Sequence, residues 1–231
     1  MGQNILINVR NLIKAYGKGK LTVSALDIKG LIIREGEFVA IMGPSGCGKT
    51  TLLNLLGALD RPSGGEIYFR GNNIVNLSEV ALCKFRREKM GFVFQAHNLI
   101  PSLSALKNVQ VPAVATGNGC RGRALDLLGL VGLSGKENRL PGELSGGEQQ
   151  RVAIARAIMM DPELILADEP TGNLDSVSGS MVIELLKKIN QGGKTLVVVT
   201  HDWNVAKACQ RIIRLHDGRA AGEGPVRSAP F

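Results

Sequence analysis

The chain is expected to fold as an α/β protein whose main sheet is mostly parallel and covered by helices on both faces. Three observations predict this. A glycine-rich stretch, Gly43-Pro44-Ser45-Gly46-Cys47-Gly48-Lys49-Thr50, lies between a strand-like run (37–42) and a helix-like run (51–56). Other strand-length runs, such as 164–167 and 196–199, are wholly apolar, as strands buried on both faces must be. These strands alternate with helix-like segments, the pattern of a parallel sheet with helical crossovers.

Taken in order, residues 5–9 alternate apolar and polar side chains and read as an edge-type strand, followed by a turn at Tyr16-Gly17. Residues 31–33 and 38–42 read as two more strands, broken by Arg34-Glu35-Gly36-Glu37. The helix after the glycine-rich loop ends near Gly57. Arg61-Pro62-Ser63-Gly64-Gly65 is a turn cluster, and 66–70 a short strand closing at Gly71. Val80, Leu82 and Phe85 have helical spacing within 78–89, leaving Lys84, Arg86, Arg87, Glu88 and Lys89 outside. Residues 91–95 form an apolar strand ending on Gln95. The stretch 106–144 looks helical but is broken by Pro112, 117–122, 129–135 and Pro141, which suits a small helical subdomain on flexible hinges, about 96–160. Strands return at 164–167 and 195–200, with a helix over 177–189. One domain over 1–219 is expected, followed by a loose tail at 220–231.

Composition narrows the class. With 231 residues, 44% hydrophobic and 4% aromatic, the chain suits a single α/β domain. No apolar run nears the roughly 18–20 residues that cross a bilayer, and no signal-like segment opens the chain, so a cytoplasmic or peripheral protein is expected. The formal net charge of +8 suits an anionic partner, but no aromatics interleave with the basic clusters, which argues against nucleic acid. Cys47, Cys83, Cys120 and Cys209 form no C-x-x-C pair and read as reduced thiols. Cys47, near a helix start, is either a small filler or a reactive thiol.

The glycine-rich stretch carries the first chemistry. A triphosphate needs backbone N–H groups at close range, a helix N-terminus and a cation. Gly43, Gly46 and Gly48 let the backbone wrap, with Pro44, Ser45 and Cys47 completing the loop. Lys49 supplies charge to the β and γ phosphates and Thr50, with Thr51 beside it, a hydroxyl to Mg²⁺. The alternative is a glycine-rich turn capping a helix. A second candidate surface is Leu144-Ser145-Gly146-Gly147-Glu148-Gln149. Ser145 and Glu148 make a capping box, the ordinary reading, while Gly146 and Gly147 leave bare N–H groups at a helix start.

These motifs, with the apolar run ending in Asp168-Glu169 and with Thr200-His201-Asp202, make the chain resemble the nucleotide-binding subunit of an ATP-binding cassette (ABC) transporter over nearly its whole length. The resemblance implies a P-loop NTPase core with an antiparallel β subdomain and an inserted helical subdomain. It also implies ATP and Mg²⁺ as ligands, and a homodimer closing head-to-tail around two ATP molecules. Asp168 and Glu169 should emerge at the C-terminal edge of the sheet. Asp168 would hold Mg²⁺ through water and Glu169 would deprotonate the attacking water, against the alternative of an acidic pair capping a turn. By resemblance His201 contacts the γ-phosphate, Gln95 sits near Mg²⁺ and the water, and Asp175 crosses to the partner copy. Tyr16 stacks on adenine or, alternatively, packs in the core. Ser145 and the glycine N–H groups of a second copy close the outer face of the γ-phosphate.

The strings Ala167-Asp168-Glu169-Pro170-Thr171-Gly172-Asn173-Leu174-Asp175 and Gly91-Phe92-Val93-Phe94-Gln95 are similar to cassettes of the lipoprotein-release, macrolide-efflux and cell-division branch. Thr50-Thr51 departs from the commoner Ser-Thr but keeps both hydroxyls. That branch implies a permease partner at the cytoplasmic face of the inner membrane and no nucleic acid. The output is either transport or mechanical signalling, such as control of a cell-wall hydrolase. A chromosome-organising ATPase would separate the two motifs by a long coiled coil, whereas 95 residues separate Lys49 from Leu144 here. A translation-associated protein would carry two cassettes in tandem.

Overall fold

A computed structural model describes residues 4–17, 23–117 and 120–225. Among the described residues ten strands form two sheets. In the first, β2 (Val23–Arg34), β1 (Ile5–Tyr16), β4 (Gly64–Phe69) and β5 (Asn72–Asn73) lie side by side, all antiparallel. The second has the order β10-β9-β3-β8-β7-β6, from β10 (Arg219–Pro225), β9 (Arg211–His216), β3 (Phe38–Met42), β8 (Thr195–Val199), β7 (Leu164–Asp168) and β6 (Met90–Val93). Its strands run parallel except β10, which pairs antiparallel to β9.

Alternation along the parallel strands sorts their side chains into two cores. Val39, Ile41, Leu164, Leu166, Val197 and Val199 face α1 (Lys49–Leu56) and the antiparallel sheet. Phe38, Ala40, Ile165, Ala167, Leu196 and Val198 face α5 (Gly146–Ala157) and α6 (Ser176–Gln191). Each fully buried Leu, Ile or Val contributes about 1.5–3 kcal/mol, so the sheet is a stiff platform. Between β6 and β7 the chain forms α3 (Ala105–Gln110), α4 (Arg121–Leu130) and α5. Their buried residues, among them Leu106, Val109, Ala124 and Leu128, belong to the same cluster as one face of the parallel sheet. Two further α-helices among the described residues are α2 (Glu79–Lys89), started by Ser78 accepting from the Ala81 amide, and α7 (Trp203–Lys207), started by Asp202.

Several expectations are corrected. The strand expected to end on Gln95 stops at Val93, leaving Gln95 in the turn beyond it. The strands expected at 5–9 and 31–33 are ends of a much longer hairpin, β1 with β2. The expected loose tail is also structured through Pro225: β10 pairs with β9 from Arg219↔His216 to Pro225↔Arg211. Its small residues carry no apolar alternation, so periodicity gave no sign of it. The sign was Asp217-Gly218, both at positive φ (45° and 74°), as a two-residue hairpin turn requires. Arg211 then binds Glu223 at 2.5 Å and Glu37 at 2.7 Å, tying the strand down. Residues 226–231 of the expected tail lie outside the described residues.

Candidate active site

Four of the parallel strands deliver candidate residues at the same C-terminal edge of the sheet. β3 leads into the glycine-rich loop, β6 into Gln95, β7 into Glu169 and β8 into Thr200 and His201. The loop turns on Gly48, the N-cap of α1, whose left-handed backbone (φ 99°) suits glycine; a Cβ there would lie 2.6 Å from the Ala25 carbonyl oxygen. No side chain caps α1, so its first N–H groups remain open to an anion. Pro44, Ser45 and Gly46 are exposed on the rim, while Gly43 packs so closely against β9 that a Cβ would lie 2.2 Å from the Leu215 carbonyl oxygen. Lys49 Nζ donates to the carbonyl oxygens of Gly43 (2.8 Å) and Pro44 (2.9 Å), which fixes the ammonium across the loop. Thr51, beside Thr50, is half-buried. Cys47 is buried in the core shared with the antiparallel sheet, which makes it a filler; Cys83 is the exposed thiol.

Thr50 and Asp168, 118 positions apart, meet across the mouth of the loop: the hydroxyl donates to the Asp168 carboxylate at 3.1 Å. Burial pushes the Asp168 pKa up and the adjacent Glu169 adds to the rise, while the Thr50 hydrogen bond and the Lys49 charge oppose it. A hydroxyl and a carboxylate are hard oxygen donors, the kind that hold Mg²⁺ when phosphate oxygens and water supply the other positions. Among the described residues no cluster of three or more His, Cys, Asp or Glu is placed to hold a metal. Thr50 and Asp168 supply two such oxygen donors.

Glu169, one residue beyond β7, has a left-handed backbone (φ 44°), uncommon for a non-glycine residue. Its amide donates to the Val199 carbonyl (2.9 Å), and its carboxylate is held on two sides. Thr200 Oγ1 donates to Oε2 at 3.1 Å; the His201 amide donates to Oε1 at 3.1 Å, and His201 Nδ1 lies 2.7 Å from the same oxygen. Strained backbone held by surrounding bonds is a mark of functional positions. Thr200 is fully buried and sequence reasoning gave it no role of its own; a hydroxyl directly after the four apolar residues Leu196 to Val199 was its signal.

Gln95 is exposed and its Nε2 donates to Asn173 Oδ1 at 3.2 Å, while Asn173 Nδ2 donates to the Gln95 carbonyl at 3.3 Å. Its position beside Glu169 follows from Gly172: a Cβ there would stand 2.9 Å from Gln95 Nε2 and 3.4 Å from Glu169 Cβ. No hydrogen bond joins Gln95 to Thr50 or Asp168. Tyr16, at the end of β1, is 46% exposed, which removes core packing as its role. Its hydroxyl donates to Asp60 Oδ2 (3.1 Å) and the Lys14 ammonium lies 4.9 Å from its ring centre.

The second motif stands apart from this cluster. Ser145 caps α5, its hydroxyl accepting from the Glu148 amide (3.3 Å) while Glu148 accepts from the Ser145 amide (2.9 Å), a capping box worth about 1 kcal/mol. Glu148 also pairs with Lys136. None of the hydrogen bonds of Ser145 or Glu148 reaches the glycine-rich loop of the same chain. Gly146 is exposed and open, whereas Gly147 is buried against Ser178 of α6. Only one of the two glycines therefore leaves bare backbone outward. Asp175 caps α6, accepting from the Val177 (3.0 Å) and Ser178 (2.9 Å) amides, and these hydrogen bonds hold its pKa down.

A phosphate loop, an acidic strand end and a histidine on one sheet edge, with a second glycine motif opening a separate helix, define an ATP-hydrolysing cassette. The ABC transporter family model matches residues 26–172, and the chain belongs to that family. It is 49% identical over 230 residues to the uncharacterized ABC transporter ATP-binding protein MJ0796 of Methanocaldococcus jannaschii, covering 96% of this chain and 98% of that one. A dimeric structure of MJ0796 in a post-hydrolysis state, bound to ADP and Pi, superposes with a TM-score of 0.89 at 47% identity, covering 97% of this chain and 100% of that one. The macrolide export ATP-binding/permease protein MacB of Sodalis glossinidius is 49% identical over 229 residues, or 98% of this chain, which spans 35% of that relative's length. The protein is thus an ATPase of the ABC transporter family, similar to MJ0796 and to the part of MacB that it spans.

Proposed function

We propose that two copies close head-to-tail around two Mg·ATP, and that closure drives a partner permease. One observation carries this reading: Lys49, Thr50, Asp168, Glu169 and His201 gather at one sheet edge, while the Ser145 side chain bonds only within its own helix start and the backbone at Gly146 is exposed. A γ-phosphate held by the first set has one side without protein donors, and a second copy's helix start supplies them. Gly147 packs against Ser178, so in this reading Asp175, the cap of α6, lies at the same interface.

In this reading Lys49 and the open amides of α1 hold the β and γ phosphates. Thr50 and Asp168 would hold the Mg²⁺, with Gln95 at its side, and the charge it would supply there is the kind that neutralises phosphate oxygens. Glu169, kept in place by Thr200 and His201, takes a proton from water as the water oxygen bonds to the γ-phosphorus. The bond from that phosphorus to the bridging oxygen breaks, and ADP leaves with the electron pair. His201 holds Glu169 through Nδ1 and presents its other ring nitrogen to the γ-phosphate. Tyr16 offers its exposed ring to adenine.

Gln95 and the helical segment, about 96–160 of a single domain reaching past 219, pass the nucleotide state outward. An apolar groove of about 500 Å³, lined by Leu59, Cys83, Phe92, Phe94, Val111 and Pro112, begins just before Gln95 and receives an apolar segment of the permease. The ATP-binding/permease relatives carry the two functions in one chain, which supports such a partner here. Among the described residues no helix is long and apolar enough to cross a membrane, so the chain meets the cytoplasmic face of the inner membrane through that partner. The test is Glu169→Gln. It should bind ATP, lose about 10²- to 10⁴-fold in turnover as a missing general base predicts, and run as an ATP-dependent dimer in light scattering. A monomer at saturating ATP and Mg²⁺ would falsify the closure.

A further inference from the structure

The turn that carries Gln95 contains two consecutive non-glycine residues in the left-handed region, His97 (φ 61°) and Asn98 (φ 51°). Such a pair is costly unless its surroundings impose it. Within the turn, the Asn98 amide reaches only the Ala96 carbonyl (2.6 Å) and the His97 amide the Phe94 carbonyl (3.1 Å). The outside restraint comes from α5. Arg156 donates from Nη1 to the Asn98 carbonyl at 2.5 Å and from Nη2 to the His97 carbonyl at 2.7 Å. Among the described residues no carboxylate pairs with this guanidinium, and burial alone lowers its pKa. A half-buried arginine without an acidic partner spends its fork on two backbone carbonyls, and a rigid planar fork fixes two such acceptors relative to each other. At the other end of the same helix the His97 ring lies against the Gly146 backbone, and burial lowers its pKa. α5 thus holds the turn through Arg156, and its Gln150, 1% exposed, donates to the Pro170 carbonyl (2.8 Å) just beyond Glu169.

We infer that Arg156 is a positioning residue for ATP hydrolysis: it clamps the Gln95 turn to α5, so that Gln95 and the Ser145 helix start move as one body. The inference rests on the reading above, in which Gln95 serves one nucleotide and Ser145 the other. Through the clamp, seating Ser145 on a neighbour's phosphate sets Gln95 in its own site. A side chain argued to act through another should change turnover and leave nucleotide binding alone.

The experiment measures kcat, ATP affinity by fluorescent-nucleotide displacement, and thermal melting for Arg156→Met, Arg156→Lys and Gln95→Ala. Arg156→Met should lower kcat about 10- to 100-fold, the scale of a group misplaced by about 1 Å, with ATP affinity unchanged. Adding Asn98→Gly, which makes the left-handed conformation accessible without the clamp, should restore part of the lost rate; a purely structural arginine would not be rescued from the turn. Wild-type kcat in Arg156→Met, or no rescue by glycine, overturns the assignment. If Arg156→Met does not fold, Arg156→Lys carries the test: an ammonium is a point charge without the fork, so kcat falls with binding kept, and an unchanged kcat overturns the clamp. Gln95→Ala separates the two failures. Loss with Gln95→Ala but not with Arg156→Met sinks the clamp alone, whereas no loss with either sinks the hydrolytic reading of the turn.

Discussion

Gly146 and Gly147 stand side by side at the start of α5, yet alanine at each should do opposite things. At Gly147 a Cβ would lie 2.5 Å from Ser178 Oγ and 2.7 Å from Ser178 Cβ. The hydroxyl can rotate away, but the Cβ cannot, so α5 and α6 must part by about 1 Å to reach a van der Waals separation near 3.5–4 Å. Overpacking of this kind costs about 1–3 kcal/mol, and in a domain of this size each kcal/mol lowers the melting temperature by about 2–4 °C. At Gly146 the nearest atom is Leu174 Cδ2 at 3.8 Å, an ordinary contact, and the backbone is not left-handed. Alanine there is tolerated and limits the unfolded chain, a gain of about 0.4–1 kcal/mol. Its methyl nevertheless covers the bare backbone proposed to meet the neighbour's phosphate. Differential scanning fluorimetry and steady-state ATPase rates on both variants check this. Gly147→Ala should melt several degrees lower, and Ser178→Gly should recover much of that loss, with a coupling of about 0.5–3 kcal/mol. Gly146→Ala should melt at or above the parent temperature and hydrolyse ATP slowly. Equal destabilisation by both alanines, or full activity in a stable Gly146→Ala, would refute the division of labour.

Asp168→Asn should raise the melting temperature of the nucleotide-free protein at neutral pH while abolishing hydrolysis. The native Asp168 pKa lies above its unfolded value of 3.8, so the native state binds more protons and this group's contribution to stability falls as pH rises through that window. The gain from asparagine should therefore shrink below pH 4, as melting curves across pH would record. Tyr16→Ala should weaken ATP binding about 2- to 12-fold, the equivalent of a stacking contact of about 0.5–1.5 kcal/mol, and leave inorganic triphosphate unaffected in competition titrations. Among the thiols, Cys83 should react first with maleimide in the native protein, and a bound permease should protect it. Cys47 and Cys209 are buried, and burial pushes the Cys209 thiol up to about 12, so mass spectrometry should find both unlabelled until denaturation.

What was legible in the sequence has a physical pattern. A loop that wraps phosphate must be short, contiguous and rich in glycine, so residues 43–50 announce themselves locally, and a sheet buried on both faces must be written in apolar runs. The strand ends then place Asp168, Glu169 and His201 at one edge, because parallel strands all point their C-termini the same way. Illegible were the bonds between ordinary residues far apart in the chain. Arg211 reaches Glu37 across 174 positions and Arg156 reaches His97 across 59, and nothing in the neighbourhood of either arginine marks it. Gly147 was legible as a glycine but not for its reason: its contact with Ser178 is set by helix packing, which no local pattern encodes. β10 lies between these cases, since its hairpin turn was written in Asp217-Gly218 while its strand of small residues was not. Motifs thus disclose what the backbone must do to a ligand, whereas the ties that make two motifs move together depend on tertiary contacts. The coupling of Gln95 to Ser145 through Arg156 belongs to the second kind, so kcat and affinity must be measured separately to see it.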